Sequence, residues 1–247
     1  MTPGPIDAGD LRSGQNRLVR AVNAQQRRLV RVYDTWAAGV KRDMDAALKR
    51  WASPAQLKLI LAGRLPELEA ALLDTTHQGI QTAEKLVVGR ATPTPRVLSV
   101  RGQHLLKNDM LVTSALVPFI GERLTAALTG AVIVDSRAVL GALVAQRSYP
   151  AQYAGGFWAM IFETKQAQGL DLDEEQKRLG LPPVKVRWVL DPSAEHCQAS
   201  PGRYGCPEIA GEYPSWGALP TVPAGEVTCA VNCGCVVEVW RDGRWQR

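Results

Sequence analysis

Residues 187–240 read RWVLDPSAEHCQASPGRYGCPEIAGEYPSWGALPTVPAGEVTCAVNCGCVVEVW, and they hold every cysteine of the chain: Cys197, Cys206, Cys229, Cys233 and Cys235. Proline and glycine punctuate the thiols, so the segment has the character of a small stapled knob. So short a stretch buries too little apolar surface to hold itself together, and a metal or a disulfide is the usual remedy. Cys229, Cys233 and Cys235 are near neighbours and converge on one point. Cys197 and Cys206 come back together only if the chain loops through Pro201, Gly202 and Gly205. Four thiolates close a tetrahedron around a structural zinc ion and leave no open position for substrate, so four of the five are the expected ligands. Disulfides are the second reading and ordinary buried thiols the third. An odd count leaves one sulfur over in either pairing chemistry. His196 is the only imidazole nearby; it could replace one thiolate as ligand, and a place beside the cluster or on the surface is the preferred reading.

Upstream, the alternation of Val184, Val186, Trp188 and Leu190 against Lys185 and Arg187 predicts a half-buried strand over 184–190. Downstream, 236–240 and 244–245 flank Asp242-Gly243, a pair suited to the positive φ angles of a type I′ turn, so a β-hairpin is expected. The module therefore spans 184–247, after an acidic, proline-ended junction at 169–183.

The remainder reads as helix. Residues 1–10 carry Pro3, Gly4 and Pro5 and are expected to form a flexible arm. From 11 to 51, Leu18, Val22, Leu29, Tyr33, Trp36, Val40, Met44, Leu48 and Trp51 recur at helical spacing and draw one apolar stripe. The other faces are basic, with Arg17, Arg20, Arg27, Arg28 and Arg31 the candidate contacts for DNA or an acidic partner. A solvated face is the plainer alternative, since Asp34, Asp43 and Asp45 interrupt the run. Ser53-Pro54 marks a helix start, with Ser as N-cap and Pro in the first turn. One helix to about residue 63 and another over 66–88 follow. Residues 89–95, with Thr92-Pro93-Thr94-Pro95, predict a linker. Helices over 103–128, with a kink at Pro118, over 136–147 and over 153–168 complete a helical domain of 11–168. The fold class is mainly α, with a long helical body and a small β-containing, Cys-rich C-terminal module.

Apart from spacing, the pattern W-V-L-D-P-x-A-E-H-C … C-P-E-I-A-G-E-Y-P-S-W-x-x-L-P … G-x-V-T-C-x-x-N-C-x-C resembles the C-terminal signature of the phage head morphogenesis proteins, the minor head proteins similar to protein F of phage Mu. Matching positions are Trp188, Asp191, His196, Cys197, Cys206, Gly211, Trp216, Pro220, Gly225, Cys229, Asn232, Cys233 and Cys235. Two departures stand out. Gln198 to Gly205 separate two cysteines that the family often keeps close, and Gly234 sits where it often has Arg. The resemblance covers about sixty residues, and it implies a structural virion protein. Such a protein is assembled in the host cytoplasm, is oligomeric within the virion, and acts near the portal in head assembly, DNA packaging or DNA delivery. Portal and capsid proteins are the implied partners.

Composition sets the outer bounds. The 247 residues are 46% hydrophobic and 21% charged, as a globular protein is, and the net charge of +5 tilts towards nucleic acid or acidic partners. No signal peptide is expected in the polar first residues, which favours a reducing compartment and thiolates over disulfides. No membrane segment is expected either, because the most apolar region, 126–145, carries Asp135 and Arg137. No phosphate-binding loop, nucleophile elbow, zincin or dinucleotide motif occurs, and the histidines His77, His104 and His196 are scattered. The chain is therefore read as a non-enzyme. The alternative function is a non-catalytic DNA-binding protein that uses the basic N-terminal helix.

Overall fold

The computed structural model describes residues 8–130, 134–152, 155–190, 197–223, 228 and 235–246. About 69% of the described residues are helical, and a small four-stranded antiparallel sheet lies near the C-terminus. This is the mainly α fold that the periodicities predict. In chain order come α1 (Ala8–Leu48), α2 (Pro54–Val88), α3 (Pro95–Leu111), a π-helical turn (Val112–Leu116), α4 (Val117–Gly130), α5 (Ser136–Ala145), α6 (Tyr149–Gln152) and α7 (Gly155–Arg178). Strands β1 (Val186–Val189), β2 (Gly211–Tyr213), β3 (Val236–Arg241) and β4 (Arg244–Gln246) follow, with 3-10 turns at Cys206–Glu208 and Trp216–Ala218.

The chain divides into two compact units. One comprises Asn23–Gly79 and His104–Ala154, the other Met1–Val22, Ile80–Gln103 and Gly155–Arg247. Residues 80–103 and α7 thus belong with the sheet, where the sequence draws its boundary at a junction over 169–183.

The first unit is built on the apolar stripe of α1. Leu29, Tyr33, Trp36, Val40, Met44 and Ala47 are buried, and they meet Leu57, Leu61, Leu68 and Leu72 of α2 in one core. Tyr33 donates its hydroxyl to the carbonyl of Leu143 at 2.7 Å. Trp51 leaves the stripe. It stands 94% exposed with φ 61, just beyond the end of α1. There the amide of Ala52 reaches the carbonyl of Ala47 (3.1 Å) and that of Trp51 reaches Leu48 (3.0 Å), the two bonds of a Schellman cap.

α2 starts where Ser53-Pro54 predicts. The backbone N–H of Ser53 donates to Gln56 Oε1 at 2.7 Å, half of a capping box. It does not stop before Pro66, which lies inside one helix of 35 residues. A buried stripe on both sides of the proline outweighs the loss of one backbone hydrogen bond. Pro118 acts differently. Its ring would strike the carbonyl of Ser114 in a regular α-helix, and the chain widens into the π turn immediately before it, with Val117 N–H donating to Val112 O.

Among the described residues one helical run, Pro95–Gly130, is long and apolar enough by length and composition to cross a bilayer. The sequence looks for its nearest approach at 126–145 instead. Within the run, Val112, Leu116, Ile120, Leu124 and Leu128 are buried in the core of the first unit, a use that needs no membrane.

In the second unit the sheet order is β2-β1-β3-β4. Val186 and Trp188 pair with Val239 and Val237, so all four share the face that packs on Phe162 and Leu170 of α7 and on Trp216. On the opposite face Arg187 donates to Glu238 (Nε to Oε2, 2.8 Å) and lies over the Trp245 ring at 4.6 Å. Asp242 and Gly243 join β3 to β4 with φ of 53 and 75, the geometry that Asp-Gly favours. α7 continues to Arg178, through residues that composition marks as junction. Arg96 explains the difference, since it pairs with Asp171 (2.9 Å) and with Glu174 and so offsets the acidic turns.

Candidate functional site: the thiol loop and the basic helix

Between β1 and β2 the chain makes a closed loop. Ser200 and Arg203 exchange backbone hydrogen bonds (3.2 and 2.9 Å) around Pro201-Gly202, and Gly202 has φ 73. Pro followed by a positive-φ Gly is the composition of a type II turn. The amide of Cys206 donates to the carbonyl of Cys197 at 3.2 Å, and the sulfurs come to 3.4 Å of each other. Gly205 is obligatory at the closure, because a Cβ there would lie 2.6 Å from the backbone N of Ala199.

Cys206 and Cys235 are buried in the apolar cluster of the sheet face, and Cys197 packs against it. Thr228 donates its amide to Tyr204 O at 3.0 Å, which ties residue 228 to the thiol loop. Cys229, Cys233 and His196 lie outside the described residues, as do Asp191, Gly225 and Asn232.

The sulfur geometry tests the expected metal. With zinc–sulfur bonds of about 2.3 Å, two thiolates of a tetrahedral site stand ~3.8 Å apart. The observed 3.4 Å is shorter than that edge and well beyond a covalent S–S bond of about 2.05 Å. The two thiols are therefore adjacent without being bonded to each other. Among the described residues, no group of three His, Cys, Asp or Glu side chains comes together as a metal site.

Of the basic candidates, Arg20, Arg27, Arg28 and Arg31 are exposed on α1, and the side chain of Arg17 lies outside the described set. Among the described residues, Arg27, Arg28 and Arg31 have no carboxylate partner. Other cations nearby are neutralised: Lys41 by Asp45, Arg64 by Asp43 and Glu67, Arg147 by Asp34. The paired carboxyls respond. Hydrogen bonds from Arg147 hold Asp34 below the usual carboxylate range, and those from Lys41 do the same for Asp45.

A groove of about 480 Å³ opens between α1 and α2, with Arg31, Arg42 and Arg64 around Trp36 and Gly39. Reading α1 alone does not find it, because Arg64 arrives from the second helix. Trp36 donates its indole N–H to Arg64 O at 2.7 Å and ties the two helices there. Of the histidines, His77 meets Asp109 at 2.5 Å and His104 is buried.

No family model, curated protein or solved structure matches the chain.

Proposed function

We propose that this chain is a structural protein of the bacteriophage virion, a minor head protein acting at or near the portal in head assembly, DNA packaging or DNA delivery. The observation that carries the reading is the closure of the Cys197–Cys206 loop, with 3.4 Å between the sulfurs, inside a segment that resembles the head morphogenesis signature. The loop brings the two thiols together on the edge of an apolar cluster, and that juxtaposition supports a shared structural task.

Cys197 and Cys206, completed from Cys229, Cys233 and Cys235, would hold a structural zinc ion. Bound there, the metal supplies folding free energy to a segment with a small core. The cysteines in this account carry structure, and no residue carries catalysis. The helices offer the surface for portal or capsid contact, in an assembly that is oligomeric within the particle. Two measurements test the proposal: metal content of the purified protein, expected at one zinc per chain, and co-purification with portal complexes or mature particles. Protein with no stoichiometric zinc and unmodified thiols defeats the metal site. Absence from purified particles defeats the virion role.

The second reading, DNA binding, is favoured by the exposure of Arg27, Arg28 and Arg31 without carboxylate partners among the described residues. If they meet phosphates, affinity for duplex DNA falls steeply between 50 and 200 mM salt, by roughly tenfold or more for a few phosphate contacts. A flat salt response excludes it.

A further inference from the structure

Where α7 crosses the sheet, the inner face is not sealed. Leu172, Trp216, Val237 and Val239 wall a half-open cavity of about 220 Å³, and Lys165 and Arg241 also line it. The β3 alternation puts Val237, Val239 and Arg241 on one face, and Gln246 of β4 stands opposite Val239. Gln168 and Gln246 add amides, and among the described residues no carboxylate lines the cavity.

Lys165 is the unusual member. Burial pushes its pKa below the ordinary value of 10.5, with no neighbouring charge contributing. Its ammonium lies 5.5 Å from the centre of the Phe162 ring, and among the described residues no carboxylate pairs with it. A cation desolvated without a counter-charge is a cost that a fold ordinarily avoids.

We propose that this cavity binds a small carboxylate with a flat apolar body, its acid group on Lys165 and its ring against Trp216 and the valines. Size supports a ring: a cavity of about 150 Å³ already holds benzene, so 220 Å³ has room for a ring and its carboxyl. Charge supports a monoanion. One half-buried ammonium beside Trp216 and the valines, with the exposed Arg241 at the rim, matches a single carboxylate on a flat apolar body better than a phosphate that brings about two charges and three acceptor oxygens. Gly169 is part of the construction, because a Cβ there would come within 2.2 Å of the Trp216 ring and displace the cavity wall.

The same chemistry occurs in a free aromatic acid and in the C-terminal phenylalanine of a peptide. Isothermal titration of the full chain with phenylacetate, with a peptide ending in Phe and with that peptide's C-terminal amide separates them. Saturable binding of either acid, with none of the amide, is the expected result, and the tighter of the two acids identifies the source. Lys165→Met should weaken binding at least tenfold while the protein stays folded, since Met retains the stem and removes only the charge. Val239→Trp, which fills the cavity, should abolish binding with the circular dichroism unchanged. The proposal is overturned if no aromatic acid binds up to millimolar concentration, if inorganic phosphate displaces phenylacetate at equal concentration, or if folded Lys165→Met binds as the parent does.

Discussion

Trp51 and Gly180 occupy the same position in two helix caps, and they are not equivalent. After α7, Gly180 takes φ 68, with Leu181 N–H on Gln176 O at 2.9 Å; after α1, Trp51 takes φ 61 with the matching bonds. Only glycine adopts that conformation without a clash between Cβ and backbone. Because Trp51 is 94% exposed, its ring contributes little packing. Trp51→Gly should therefore stabilise the protein by about 1 kcal/mol, read as a rise in the urea midpoint. A fall would mean that the ring packs in solution. Lys165 gives a second prediction, this one dependent on pH. Its folded pKa lies below the unfolded 10.5, so between those values the unfolded chain binds more protons and stability rises with pH. Below the folded pKa the desolvation cost is fully present. Lys165→Met should then be more stable than the parent at neutral pH, and the difference should shrink as pH approaches 10.5. Tyr33, whose pKa burial raises, shifts stability the other way above pH 10, but equally in both proteins, so the difference isolates Lys165.

At the scale of elements, α7 and the Trp216 turn approach so closely that only glycine fits between them. Gly169→Ala would put a methyl 2.2 Å from the indole, and it should cost about 2 kcal/mol, measured by denaturant unfolding. An unchanged midpoint would show that Trp216 moves aside at little cost, and the cavity beside it would have to be redrawn. Some elements were legible in the sequence. The α1 stripe, the Ser53 cap, the β1 alternation and the Asp242-Gly243 hairpin rest on local periodicity and turn chemistry, which act within a few residues. Others were not. Pro66 ends a helix by local rules, yet α2 runs through it because Leu61, Leu68 and Leu72 are buried together. Residues 169–178 are too acidic to read as helix until Arg96, some 75 positions earlier, is placed against them. The thiol loop lies between these cases. Pro201, Gly202 and Gly205 foretold a turn, and the sulfur separation depended on where its two ends were anchored.

For the whole molecule, the two apolar cores are separate, and this bears on metal removal. If zinc holds the thiol loop, chelation under denaturant-free conditions should raise hydrogen exchange in β1, β3 and the loop around Cys197 and Cys206. The helices carrying Leu29, Val40, Leu61 and Leu72 should keep their protection, since they lie in a different core. Uniform loss of protection would show that the units unfold together, and no change would show that the loop stands without metal. By itself the sequence determined the mainly α class, the position of the β module, and the cysteines and arginines from which function is proposed. These follow from spacing and composition, which are properties of neighbours along the chain. Only the tertiary structure decided that residues 80–103 belong to the unit that holds the sheet, that Arg64 completes the groove beside Arg31, and that Lys165 lines a cavity with no carboxylate partner among the described residues. Desolvation and pairing depend on which distant side chains arrive at a point in space, and no local pattern carries that information.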